Sequence, residues 1–189
     1  MALSSIALCS RALLKIGAST IASFDEGTAE AEVAANLYPA IRDGMLSSHP
    51  WNFATGQAGL ARLTATPVAD YSFAFQLPVD FLRALSAGVT GRGRGLDYRI
   101  AESKLHCDAE QVVLTYVFRP LETDFPPFFD AALIARLAAE FCAPLTESTA
   151  RAELLFKLAE DEFRRAKLID GQQDTPKSID SFPLVDVRS

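Results

Sequence analysis

HPWNFATGQAGLARL, residues 49–63, decides how the rest of this chain is read. It holds the only tryptophan, Trp51, and one of the two histidines, His49, at the point where helical periodicity gives way to short β-rich runs. Pro50 pushes the residue before it out of the α region, so a helix arriving from the N-terminal side must end at His49. Trp51 and Phe53 follow at once. Large aromatics just past a helix stop fill a junction and fix the angle between the parts that meet there. Together with Pro39 upstream, the stretch therefore reads as a structural hinge (Pro39, His49, Pro50, Trp51, Phe53) between helices and a sheet.

Upstream, Leu3, Ile6, Leu13 and Ile16 recur at helical spacing, and Gly17 stands where that helix would stop. A second helix should begin near residues 26–28 and carry the stripe Val33, Leu37, Ile41, Met45, with Asp25, Glu26, Glu30 and Glu32 at its dipole-favoured start. Pro39 inside it predicts a kink near residues 36–38. Downstream, GLARLT, FAFQLP, FLRALSAGVT, DYRIA, KLHCD and QVVLTYVFR are short, rich in β-branched and aromatic residues, and separated by Gly, Pro and Asp. They predict about five or six strands, antiparallel because the connections are too short for crossover helices.

Helices return after DFPPFF. Phe129, Leu133, Leu137 and Phe141 form an i, i+4 stripe bounded by Pro127 and Pro144, and a fourth helix follows with Thr146 or Ser148 as N-cap and Gly171 as stop. The fold class is α+β: a mainly α-helical bundle drawn from both chain ends (residues 1–56 and 124–171), with an inserted antiparallel β-rich domain (residues 57–123). Residues 172–189 are broken by Pro176 and Pro183 and read as an extended arm. Phe182, Leu184, Val185 and Val187 make its end apolar, and such residues at a polar terminus need a place to dock, on a neighbouring subunit or another partner.

A formal net charge of −6 argues against broad electrostatic binding to DNA, which needs a basic footprint. Cys9, Cys107 and Cys142 are odd in number and form no CxxC pair, so they read as small buried thiols and not as a disulfide framework or zinc site. The N-terminal run is interrupted by Ser4, Ser5, Ser10, Arg11 and Lys15, so it is read as neither a membrane span nor a signal peptide.

No phosphate loop, HExxH, GxSxG or strand-to-helix GxGxxG is present, so the chain is read as a non-enzyme with no cofactor and no metal. A catalytic reading would make His49 a base held by Asp43, or use Cys107. A packing role for His49 beside Trp51 fits the composition better. GRGRG, residues 91–95, is the one local basic feature. Arg92 and Arg94 there are the candidate DNA or partner contacts, the alternative being a hairpin tip whose glycines satisfy positive φ.

RALLKIGASTIASFDEGTAEAEVAANLYPAIRDGMLSSHPWNFA resembles the N-terminal part of the tail tubular protein A family, the head-to-tail adaptors of short-tailed phages and related prophages. FQLPVDFLRAL and YVFRPLETDFPPFFDAALIARLAAEFCAPLT are similar to the family as well, so the resemblance spans residues 5–167. It implies a structural virion protein at the head–tail junction, made in the bacterial host cytoplasm. Its subunits would form a homo-oligomeric ring, a dodecamer, between a portal protein and a tail protein, with DNA passing through the lumen without sequence-specific binding and with no membrane partner. The GRGRG loop and the arm lie outside the family pattern. The competing reading is a cytosolic nucleic-acid-binding protein that uses the GRGRG loop.

Overall fold

Ala152, Ala159 and Ala166 recur at seven-residue spacing, which puts three small side chains on one helix face. In the computed structural model, which describes residues 3–89, 91 and 93–174, all three are buried. They belong to α4 (Thr149–Gly171), which packs along α3 (Pro127–Thr146). Small residues let two helix backbones approach closely, and α3 answers with buried Ala135, Ala138, Ala139 and Cys142.

The expected stripe of Phe129, Leu133, Leu137 and Phe141 is fully buried on α3. That helix is apolar nearly all round because it also packs against α1 (Ser5–Ile16) and α2 (Ala29–Ser48). α3 is therefore the helix the other three share. Pro127 takes the first helical position, and Pro144 lies inside the last turn instead of ending the helix, which runs on to Thr146.

The helix ends follow from local chemistry. The Ser4 and Thr28 hydroxyls accept from the backbone N–H groups of Ala7 and Ala31, both at 3.2 Å, and so cap α1 and α2. Gly17 closes α1 at φ +76°. Thr146 is not a cap, because its hydroxyl donates to the Cys142 carbonyl at 2.6 Å. Ser148 holds the N-cap position of α4 without a side-chain capping bond, and Gly171 is the last residue of that helix, not the residue beyond it. α2 continues through Pro39 to Ser48, and His49 is extended at φ −139°, as a residue before proline must be.

Among the described residues, six antiparallel strands form two three-stranded sheets. The first has the order β1–β6–β3, from β1 (Thr55–Gly59), β3 (Phe81–Gly88) and β6 (Val113–Phe118). The second has the order β2–β5–β4, from β2 (Phe73–Gln76), β4 (Arg99–Ala101) and β5 (Lys104–Cys107). Leu114, Tyr116 and Ala87 of the first sheet meet Phe75, Leu105 and Cys107 of the second in one core. The other face of the first sheet turns Val117 into a separate core that contains residues from all four helices.

The β3–β6 register slips at Leu82 and again at Leu85, and both of these extra residues pack against the helical core. A bulge re-aims side chains. Two bulges in β3 let one strand serve both cores. The strand expected at GLARLT is absent, since β1 is TGQAG and ends at Gly59. The chain then crosses between sheets: the Leu60 N–H bonds the Val112 carbonyl, and the Leu63 N–H bonds Ala74 of β2. Sharing its backbone bonds between two sheets is what denies this segment a ladder of its own.

Candidate functional site

His49, Trp51 and Phe53 converge on one buried junction. Trp51 has no exposed surface. Its indole Nε1 donates to the Met45 carbonyl at 3.0 Å, satisfying an acceptor in the last turn of α2. Four phenylalanine rings surround it: Phe53 at 5.9 Å, Phe129 at 5.1 Å, Phe163 at 5.7 Å and Phe128 at 6.4 Å between centroids. Phe53 in turn meets Phe125 and Phe129. The cluster joins the end of α2, the start of α3 and the C-terminal half of α4 through one set of edge and tilted ring contacts.

His49 packs edge-on against Trp51 at 4.8 Å. Its Nε2 lies 3.8 Å from Asp170, not against Asp43, so the arrangement that would make it a base held by Asp43 does not occur. Asp43 is engaged elsewhere, by Arg42 and Arg119. Burial lowers the His49 pKa, opposed by the Asp170 charge and reinforced by Lys167 and Arg83. Pro50 is exposed beside this group, and Pro39 is exposed in the middle of α2, ten residues before His49 in the sequence and outside the ring cluster.

Asn52 and Asp170 are the pair that the sequence pattern did not point to. The Asp170 carboxylate accepts from the Asn52 backbone N–H at 3.1 and 3.2 Å, and the Asn52 side chain donates to the Asp170 carbonyl at 2.8 Å. This reciprocal pair ties the last turn of α4 to the junction. Asp170 is only 1% exposed, and burial raises its pKa, offset in part by the Asn52 bond and His49. One signal was available. An acidic residue in the last turn of a helix opposes the dipole and calls for a compensating donor.

A second bracket lies further back along α2. Glu122 accepts from Arg42 at 2.8 Å and from the Tyr38 hydroxyl at 3.1 Å, while Arg119 reaches Asp43 with two bonds at 2.6 and 3.0 Å. Burial works to raise Asp43, but the hydrogen bonds from Arg119 and Arg42 outweigh it, and the carboxyl ionises below its usual range. Glu122 is depressed in the same way, by its own backbone N–H, Arg42 and Tyr38 against burial.

The GRGRG loop is fastened to the first sheet. The Gly93 carbonyl accepts from Ser86 at 2.8 Å and from Thr115 at 3.3 Å, and a Cβ at Gly93 would lie 2.6 Å from Gln57 Nε2 and 2.9 Å from Thr115 Oγ1. Gly91 and Gly95 have φ +82° and +90°. The loop thus needs its glycines for conformation and close approach. Arg94 is exposed on it, while Arg92 lies outside the described residues, as do Phe182, Leu184, Val185 and Val187.

Cys9, Cys107 and Cys142 are free and buried. Among the described residues no cluster of His, Cys, Asp or Glu is arranged to hold a metal ion, and no helix is long and apolar enough to cross a membrane. No protein-family model and no curated protein matches the chain.

Proposed function

We propose that this protein is a ring-forming head-to-tail adaptor, a structural virion protein of the particle neck that joins a portal to the tail and lets DNA pass through its lumen. One observation carries the reading. Two of the stretches that bear the family resemblance, within LYPAIRDGMLSSHPWNFA and YVFRPLETDFPPFF, are far apart in sequence yet meet along α2 and just past its end. Tyr38, Arg42 and Asp43 bond to Glu122 and Arg119, and Trp51 and Phe53 stack on Phe125, Phe128 and Phe129. The family-like residues are thus spent on holding angles between elements. In a closed ring small angular errors accumulate from subunit to subunit, so a rigid junction is what such a subunit needs.

On this reading the four helices act as one bundle, residues 1–56 and 124–171, and residues 57–123 are an insertion that rides on it. The shared helical core supports that division. The ring is a dodecamer, the Arg94 side of the GRGRG loop meets passing DNA or a partner, and the arm from residue 172 supplies apolar side chains to the portal or a neighbouring subunit. Sedimentation velocity of the chain mixed with a candidate portal tests the proposal. Co-sedimentation at twelve copies per portal ring is expected, and a chain that stays at its own sedimentation rate with every candidate portal contradicts it.

A further inference from the structure

A cleft of about 470 Å³ opens between α2, α3 and α4, within the roughly 300–1,000 Å³ range of sites that take a ligand. Ile41, Gly44 and Met45 line one wall and Ala159 and Phe163 the other, with Arg136 at the edge. The walls are mainly apolar, with Ser48 and Glu160 the other polar residues that line them. The single large cation is already spoken for, since Arg136 pairs with Glu140 at 2.8 Å and Glu160 at 3.6 Å. An occupant that is itself apolar and extended suits this chemistry better than an anion.

The chain carries such an occupant close by. α4 ends at Gly171, the Gln172 and Gln173 N–H groups bond the Ile169 and Asp170 carbonyls in a tight turn, and the backbone bends at Asp174. Phe163 is about 12 Å back along α4 from Gly171, and Ala159 about 18 Å, at 1.5 Å per helical residue. The eight residues from Asp174 to Phe182 span up to about 26 Å when extended. Phe182, Leu184 and Val185 are therefore within reach of the cleft in their own subunit. A tether this short holds them at an effective concentration of about millimolar, which a second copy matches only in a crowded assembly.

We infer that the α2–α4 cleft is the seat for the Phe182–Leu184–Val185 segment of the same chain in the free subunit. The inference does not depend on the adaptor reading. If the adaptor reading holds, the seat parks the arm until a partner supplies better contacts.

Cysteine cross-linking in the full-length chain tests this. A Cβ at Gly44 meets nothing within 4 Å, so Gly44→Cys places a thiol in the cleft without disturbing α2. It is paired with Leu184→Cys, and the control pair is Val79→Cys with Leu184→Cys, Val79 being fully exposed on the loop between β2 and β3. Mild oxidation at about micromolar protein should close the Gly44–Leu184 pair within single chains at least about tenfold faster than the control, at a rate independent of concentration. Val185→Asp added to the cleft pair should slow it to the control rate. Equal rates for the two pairs, or products found only as cross-linked dimers, overturn the inference.

Discussion

Trp51→Ala removes the centre of the junction. The side chain is wholly buried, touches His49 and four phenylalanines, and donates to the Met45 carbonyl. Truncating a buried Trp to Ala costs about 3–5 kcal/mol through lost transfer free energy and the cavity left behind. Leaving the Met45 carbonyl without its partner adds about 1 kcal/mol if water does not enter. The cavity walls here are rings fixed on α3, on α4 and on the short turn just past α2, which cannot collapse together without moving these elements against one another, so the upper part of the range is expected. With a urea slope of about 2–3 kcal/mol per molar, a loss of about 5–6 kcal/mol should lower the midpoint by about 2–3 M. The substitution deletes the only tryptophan, so the melt is followed by far-ultraviolet circular dichroism. Trp51→Phe, which keeps most of the packing but not the donor, should lie between. An unchanged midpoint for Trp51→Ala would refute the claim that this ring holds the elements together.

Three further outcomes follow from the same geometry. Asn52→Ala should cost about 1–3 kcal/mol, because Asp170 stays buried without the side-chain half of its pair; thermal melts check it, and a loss below about 0.3 kcal/mol would mean that Asn52 does not hold α4. Asp130, whose Oδ1 is buried without a hydrogen-bond partner among the described residues, has its pKa raised by burial from 3.8 to about 6, with Arg11 opposing. The native carboxyl thus holds its proton more tightly than the unfolded one, and ionising it opposes folding as pH rises from about 4 to about 6. Asp130→Asn should match the parent near pH 4 and exceed it above pH 6 by about 1 kcal/mol, once the partial exposure of the group is allowed for; a constant difference across that range would contradict it. Gly93→Ala should lift the GRGRG loop off Gln57 and Thr115, and limited trypsin digestion should then cut after Arg94 several-fold faster than in the parent; an unchanged rate would mean that the neighbouring side chains give way instead.

The helices were legible because their signals are local. Thr28, Gly17 and Pro50 act within a turn of their own positions, and the α3 stripe repeats strongly between its two prolines. Five of the six strands also matched runs of β-branched and aromatic residues. TGQAG did not, because two glycines give it little propensity and its strand character comes from pairing with β6, a partner more than fifty residues away. The same limit explains the site. Trp51 and Phe53 announced themselves by rarity and position, whereas nothing next to Asn52 in the sequence points to Asp170, which α4 brings to it. The His49–Asp43 pairing that a catalytic reading needs does not form, and the packing of His49 on Trp51 does: in sequence His49 is near Asp43, but Arg119 is what reaches it. Long-range polar pairs carry no periodicity, and their only trace is an oddly placed charge such as Asp170.

The most direct test of the adaptor account is negative-stain imaging of the purified chain, alone and after mixing with a candidate portal ring. The account predicts an added twelve-fold layer with an open central channel on one face of the portal, and its loss when residues 172–189 are removed. Portal rings that stay bare, under conditions where the chain is folded, would contradict it.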